Sequence, residues 1–326
     1  MNVAVLGTIC LDEIRKGNAD PRYGFGGLFY SVIALAQLIH KSGYVYPVVK
    51  IGENDYQAIE EQFQSNHTVD LKYAQKYPGL NNRVILEYFS RDERTEYSRF
   101  LPKPFTIKEL APLPDVDLFQ VNFVSGLEMT HKTLIALKKR LCVPLFVDLH
   151  SLFLGFRKNG ERYYRIAKNW SIWNISGDIV QMNEIEAAVL AGDRWKHSAI
   201  LRNIIDRNKQ VEGSLQSDRI SFGKYLINCG ARIVLITRGY AGSHVFWRVG
   251  KKIYEREIAA FHFGKVLDPT GCGDVYSAGF IYAFLSGAEP PEAAEFAGKV
   301  SGMRAARSSS GDLHRLRSLL EKEKIL

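Results

Sequence analysis

The sequence predicts an α/β protein with a mainly parallel central sheet and helices on both of its faces. Three observations predict it. Short apolar strand candidates alternate with helical stretches along most of the chain. Asp12, Asp148, Asn183 and Gly239 all fall just after strand ends, where open sheets of this kind bind ligands. The run Asp268-Pro269-Thr270-Gly271-Cys272-Gly273-Asp274 then leads straight into an apolar-periodic segment, the pattern of a turn that opens a helix.

In chain order, Asn2 to Gly7 is a short apolar strand ending in glycine, and Gly26-Gly27 opens an apolar segment, Leu28 to Leu38, that reads as a buried helix. Tyr46 to Ile51, Leu118 to Phe123, Pro144 to Asp148, Asp178 to Met182 and Ile233 to Thr237 are further strands. One stretch breaks the alternation. Residues 82–89 and 95–100 flank a polar turn, Ser90 to Arg94, and read as a β-hairpin. Val84, Ile85, Leu86, Tyr88 and Phe89 give its first strand apolar side chains on both faces, so neither face should be left in water. In the last third, Val275, Ala278, Tyr282 and Leu285 recur at helical spacing, and Gly287 is placed to end the helix.

The turn before that helix carries chemistry. Glycines at 271 and 273 let an anion approach the backbone, and free N–H groups at the positive helix end would receive it. Asp274 is unusual there, because a carboxylate repels a phosphate. Two readings stand side by side: a base that takes a proton from an attacking hydroxyl, or a residue that only caps the helix.

Bulk properties agree with a soluble enzyme. The chain has 326 residues, 46% of them hydrophobic, enough for a large core. No apolar run approaches a membrane span, and the first residues lack a basic n-region, so no membrane partner is expected. Cys10, Cys142, Cys229 and Cys272 are scattered with no C-x-x-C, which suits a reducing cytoplasm. The net charge of +8 fits an anionic ligand such as a nucleotide. Nucleic acid is not an expected partner: there is no long basic block and no zinc-finger spacing. Walker-type, dinucleotide-type and protein-kinase glycine motifs are all missing.

The segment DPTGCGDVYSAGF resembles the C-terminal signature of the PfkB (ribokinase-like) carbohydrate kinases, commonly D-T-x-G-A-G-D before a helix. Pro269 replaces a common Thr, and Cys272 the usual Ala. The resemblance runs from Val3 to about Gly311. It implies one ribokinase-like kinase domain over 1–326, with a small β lid from about 12–25 and 82–102. Its implied activity is ATP-dependent phosphorylation of a hydroxyl on a sugar, polyol or related small molecule. Asp274 would be the base, with Gly271, Cys272 and Gly273 forming the anion hole. Asn183-Glu184-Ile185-Glu186 resembles the family's N-x-x-E motif, which helps hold Mg²⁺ partly through water; read alone, Asn183 and Glu186 also make a capping box. Thr237-Arg238-Gly239 with Gly242 resembles the T-x-G turn along the nucleotide phosphates, with Thr270 beside it and Arg238 able to add charge. Asp12, Gly26 and Gly27 match sugar-binding elements. Ser31 stands where ribokinase-type members commonly have Asn, and Asp148-Leu149-His150 where many have Asp-x-Asn. The resemblance also leaves room for a monovalent cation such as K⁺, and implies a homodimer joined through the lid.

Two other readings remain. A nucleoside kinase would need aromatic walls, which Phe25, Phe29, Tyr30 and the hairpin aromatics can supply. A non-catalytic ligand sensor would keep the fold without turnover. The segments 150–176 and 193–222 lie outside the motifs. The second reads as a solvated helix and loop. In the first, Arg157, Arg162 and Arg165 are candidates to reach an acidic substrate.

Overall fold

In a computed structural model, which describes residues 1–17, 19–64, 66–89, 94–113, 115–165, 177–191, 215–307 and 310–326, the alternation becomes an eight-stranded sheet. In chain order the first half holds β1 (Asn2–Leu6), β2 (Ile9–Lys16), β3 (Arg22–Gly27), α1 (Leu28–Ile39), β4 (Tyr44–Val48), β5 (Lys50–Gly52), α2 (Tyr56–Gln64), β6 (Gln75–Tyr77), β7 (Arg83–Tyr88) and β8 (Arg94–Arg99). Then come β9 (Leu118–Asn122), α3 (His131–Arg140), β10 (Leu145–Asp148), β11 (Leu154–Phe156), β12 (Arg162–Tyr164), β13 (Ile179–Asn183) and α4 (Glu184–Ala191). The last part holds α5 (Leu215–Asn228), β14 (Ile233–Thr237), β15 (Ser243–Val249), β16 (Lys252–Ile258), α6 (Cys272–Leu285), α7 (Pro290–Ala305) and α8 (Leu316–Lys322).

The main sheet runs β16-β15-β14-β13-β10-β9-β1-β4. Its strands pair in parallel from β4 to β14, and β15 and β16 add an antiparallel edge. Parallel sheets must be covered on both sides, and this one is. Val3 and Val5 face one apolar layer with residues of α1, α6 and α7, while Ala4 and Leu6 face another with residues of α3, α4 and α5. The predicted fold class is therefore the one observed.

Two details differ from the sequence reading. The expected strand Tyr46 to Ile51 is split: β4 ends at Val48, and β5 pairs with β6 instead. Pro47 has no N–H for a second neighbour, which is harmless because β4 lies at the sheet edge. The β15–β16 hairpin was not foreseen. Its strands are only partly buried, so their apolar content is diluted with Arg, Glu and Lys. Gly250, at φ +58, supplies the turn between them.

A second sheet, β3-β2-β7-β8, is built from residues 9–16, 22–27, 83–88 and 94–99. Only Gly7 and Thr8 separate β1 from β2, so this sheet leaves the main one at a strand carboxyl end. Strand β7 is less two-sided than its composition suggests. Val84 and Leu86 are buried on the face that carries Asp12; Ile85 points the other way and is half-buried, and Phe89 is 68% exposed. Residues 90–93 of the expected polar turn lie outside the described residues, as do 166–176 and 193–214 of the two unassigned segments; residues 215–222 form the first part of α5. Among the described residues no helix is long and apolar enough to cross a membrane.

Candidate active site

The parallel strands end side by side beneath the start of α6, where they line a cavity of about 390 Å³. Of the residues singled out from the sequence, Asp148, Asn183, Glu186, Thr237, Gly239, Gly242 and the whole 271–274 turn line it. Sheet topology does this. Sequence-distant strand ends become neighbours, and α6 is laid across them.

Helix α6 starts with Gly271 as its N-cap, at φ +77 in the left-handed region. A Cβ at 271 would fall 2.3 Å from Cγ of Tyr30, so bulk is excluded from that position twice over. At 273 the reason is different. A Cβ there would meet nothing closer than Gln181 Nε2 at 4.0 Å, because the position opens on the cavity. The helix's first i→i−4 bond runs from Val275 N–H to Gly271 O at 2.9 Å. One expectation is corrected here: the Cys272 N–H donates to Pro269 O at 3.1 Å, so it is tied inside the turn rather than offered to an anion.

Asp274 is buried, 5% exposed, at the cavity wall. Asn122 Nδ2 donates to its Oδ1 at 2.5 Å, and Ser31 Oγ reaches the same oxygen at 3.5 Å. Burial pushes its carboxyl up to about 7, against the opposing pull of those two donors. The N-cap itself is Gly271, which has no side chain to cap with, and Asp274 stands in the first turn beyond it. Asn122 was missed from the sequence. It ends β9 as Asp148 ends β10, but the sequence reading ran that strand on to Phe123, which hid its place at the strand end.

A second buried carboxyl, Asp148, sits in a polar chain inside the wall. Ser277 Oγ and Gln181 Nε2 approach its Oδ2 at 3.1 and 3.2 Å. Ser277 Oγ also lies 2.7 Å from Gln181 Oε1, and Gln181 Nε2 donates to Gly273 O at 3.1 Å. Gln181 thus ties a central strand to the glycine turn. Burial, with the charge of Asp274 adding to it, pushes Asp148 up to about 8. Sequence reading did not single out Gln181, which falls in no motif, or Ser277, which lies within the 268–280 signature but carries no role there.

Asn183 and Glu186 form the capping box in full. Asn183 N–H donates to Glu186 Oε2 at 2.7 Å, and Glu186 N–H to Asn183 Oδ1 at 2.9 Å. Burial first, then the charge of Asp148, raises the Glu186 carboxyl well above its usual range. Glu186, Asp148 and Asp274 therefore share a pocket in which their negative charges repel. This hard-oxygen, charge-crowded set fits a divalent cation held through its water shell. Among the described residues no three His, Cys, Asp or Glu side chains gather closely enough to hold a metal by themselves.

At the far side, Thr237 pairs with Ser243 across β14 and β15, and Gly239 and Gly242 take φ values of +52 and +88. Arg238 is engaged elsewhere, with its guanidinium 3.4 Å from Glu257. Thr270 lies within the turn, where its N–H donates to Asp268 Oδ1 at 2.9 Å, and it does not line the cavity. Toward the second sheet, Asp12 is buried and lies over Gly26, where a Cβ would fall 1.9 Å from its Oδ2. Gly27 takes φ +60 against Thr8 O. Ser31 reaches the site through Asp274 and Asn122. Of the three arginines, Arg162 is held by the carbonyls of Val124 and Ser125, with Glu96 at 3.7 Å, and Arg157 lies 3.5 Å from Glu161.

Residues 204–314 match the pfkB family carbohydrate kinase model, so that third of the chain is similar to the family. A nucleoside kinase of Methanocaldococcus jannaschii is 44% identical over 54 residues, 17% of each chain. A 5-dehydro-2-deoxygluconokinase of Clostridium perfringens is 27% identical over 148 residues, 44% of this chain and 43% of that one. The chain thus spans less than half the length of these curated relatives. Solved structures agree over almost all of it. A ribokinase from Giardia lamblia superposes with a TM-score of 0.74 at 14% identity, covering 99% of both chains. A pyrophosphate-dependent kinase in the ribokinase family gives 0.73 at 19% identity, covering 94% of this chain and 96% of its own. A fructokinase with bound ATP from Xylella fastidiosa gives 0.72 at 16% identity, with 99% of both chains covered. The fold is ribokinase-like.

Proposed function

We propose that the protein is an ATP-dependent kinase that phosphorylates a hydroxyl of a sugar, polyol or related small molecule. The observation that carries this is Asp274: a buried carboxyl poised near neutrality, gripped by Asn122, at the mouth of a glycine turn that opens a helix. A base in that state takes the acceptor's proton as the oxygen attacks the terminal phosphoryl group. Gly271 and Gly273, with the first-turn N–H of Asp274, offer donors to the moving phosphoryl oxygens. Thr237, Gly239 and Gly242 border the rest of the donor phosphates, and Ala259, Phe261, Phe263 and Ala306 give an apolar wall suited to a base. Asp12, Gly26, Gly27, Ser31 and Asp148 are assigned to the acceptor. Mg²⁺, when bound through water to Glu186 and Asn183, neutralises charge on the donor phosphates.

A panel of free sugars, sugar acids, polyols and nucleosides, with ATP and pyrophosphate as alternative donors, tests the assignment by product formation. Turnover confined to nucleosides would transfer it to the nucleoside-kinase reading. The structure counts against that reading in one respect: Phe29 is buried among Phe25, Phe63 and His314, and Tyr30 lies under Gly271, so neither ring is free to stack on a base. Tight ligand binding with no transfer to any member would favour the sensor.

The acid pair makes the unliganded protein sensitive to pH. Unfolded aspartates titrate near 3.8, whereas Asp274 and Asp148 titrate at about 7 and about 8 when folded. The folded state therefore holds these protons more tightly. That stabilisation is complete below the unfolded value and is lost as pH rises through the folded ones. Melting temperature without ligands is expected to fall as pH rises from about 4 to about 8 and to level off above that, apart from the titration of other groups. Activity moves the opposite way, rising through about pH 7 as the base ionises. Asn122→Ala removes a donor that lowers the Asp274 carboxyl, so its rate profile shifts to higher pH. A flat melting curve with an unshifted profile would contradict the assignment of Asp274.

We further propose a homodimer that joins the outer faces of two β3-β2-β7-β8 sheets. Leu11, Ile85, Tyr97 and Tyr23 share that face, and Tyr23 is 76% exposed. Burying such side chains contributes about 1.5–3 kcal/mol each before association costs. Light scattering is expected to give twice the chain mass, and Ile85→Lys with Tyr23→Lys to halve it. A wild-type monomer at high micromolar concentration would remove the dimer.

A further inference from the structure

The turn that opens α6 rests on a positive charge with no part in the chemistry above. Arg304, on α7, has a side chain with 0% exposure. Its Nη2 donates to Asp268 Oδ2 at 2.8 Å, and its Nη1 to the backbone oxygens of Asp268 at 3.3 Å and Arg307 at 3.0 Å. The guanidinium also lies over the Tyr30 ring, 5.4 Å from its centroid, and Nε has no hydrogen-bond partner among the described residues. One carboxylate and two carbonyl oxygens, from two separate segments, thus converge on a single buried point next to residues 268–271. Convergent carbonyl and carboxylate oxygens are the donor set with which a protein replaces the water shell of an alkali cation. Here the set has already closed on an organic cation whose charge is permanent.

The K⁺ that the family resemblance leaves room for does not fit this arrangement. A metal ion on those oxygens would sit against the guanidinium, and the remaining Asp268 oxygen already accepts the Thr270 N–H. We propose that Arg304 is the resident cation of the phosphoryl-binding turn, so that this chain needs no monovalent metal ion to bind its phosphate donor. The proposal rests on the kinase reading for the donor but not for the cation. Arg304 acts as a positioning residue through two arms. One is Asp268, which holds Thr270; the other is Tyr30, whose ring packs directly against Gly271.

The test compares wild-type protein in potassium chloride and in choline chloride at equal ionic strength, by melting temperature and by calorimetric affinity for Mg·ADP. Both readouts are expected to agree between the two salts, within about twofold for affinity. Affinity tenfold or more higher in potassium, or a melting temperature raised by potassium alone, would overturn the proposal. Arg304→Ala should lose about tenfold or more in Mg·ADP affinity in choline, with partial recovery on adding potassium or millimolar guanidinium. A folded Arg304→Ala that binds as wild type in choline would also overturn it. Removal of one member of a buried pair can prevent folding; the wild-type salt comparison then decides alone. If wild-type protein binds no Mg·ADP in either salt, the kinase reading fails, and the melting comparison still decides the cation.

Discussion

Asp274→Asn is expected to lower kcat by about 10²–10⁴-fold while leaving Mg·ATP affinity within about twofold of wild type. The substitution is nearly isosteric, and its amide oxygen can keep the hydrogen bond from Asn122. It also replaces a carboxyl that burial already holds near neutrality, so the fold should tolerate it. What it removes is the ability to accept a proton. Steady-state kinetics with an identified acceptor, beside calorimetric titration with Mg·ATP, separates the two quantities. A kcat near wild type would show that another group takes the proton. A parallel loss of ATP affinity would place Asp274 in donor binding instead.

The second large effect concerns two glycines only two residues apart. Gly271→Ala puts a Cβ within 2.3 Å of the Tyr30 ring at a φ of +77. Backbone strain of about 1–3 kcal/mol adds to an overpacking cost of about 1–3 kcal/mol, and Tyr30 would press on Arg304 in turn. Urea unfolding is expected to show a loss of about 2–6 kcal/mol. Gly273→Ala meets nothing nearer than 4.0 Å and should change stability by less than about 1 kcal/mol. Its methyl group projects toward the cavity, so phosphate binding is what weakens. The expected pattern is a damaged fold at 271 and a damaged site at 273. Equal stability losses at both would mean that the turn is wrongly drawn.

Much of this was legible in the sequence because of how the chemistry is placed. Parallel strands buried on both faces read as apolar runs, and the polar residues at their carboxyl ends mark themselves by contrast; Asp148 and Asn183 stood out for that reason. The 268–274 run combines glycine, acid and helix onset in a pattern that few other structures require. What stayed hidden depends on three-dimensional neighbours. Gln181 looks like one more strand residue until β13 lies under Gly273. The ion pair between Arg304 and Asp268 joins positions 36 residues apart with no motif between them. Arg162 illustrates the reverse error: an arginine that suggested an acidic substrate is occupied by carbonyls of its own chain.

The burial of α6 has a consequence for how such a protein can change over time. Every residue from Asp274 to Ile281 is buried, and α6 packs so closely on α7 that a Cβ on Gly279 would fall 2.9 Å from Ala297 Cα. Drift in that helix is therefore purged for reasons of folding before any question of catalysis arises. The outer face of the second sheet is less constrained within the chain, since Ile85 there is only half-buried and Tyr23 is 76% exposed. On the kinase reading proposed above, a lineage would exchange one acceptor for another by altering strands at the periphery while the turn around Asp274 is inherited intact. Laboratory selection for new acceptors is best confined to β2, β3, β7 and β8.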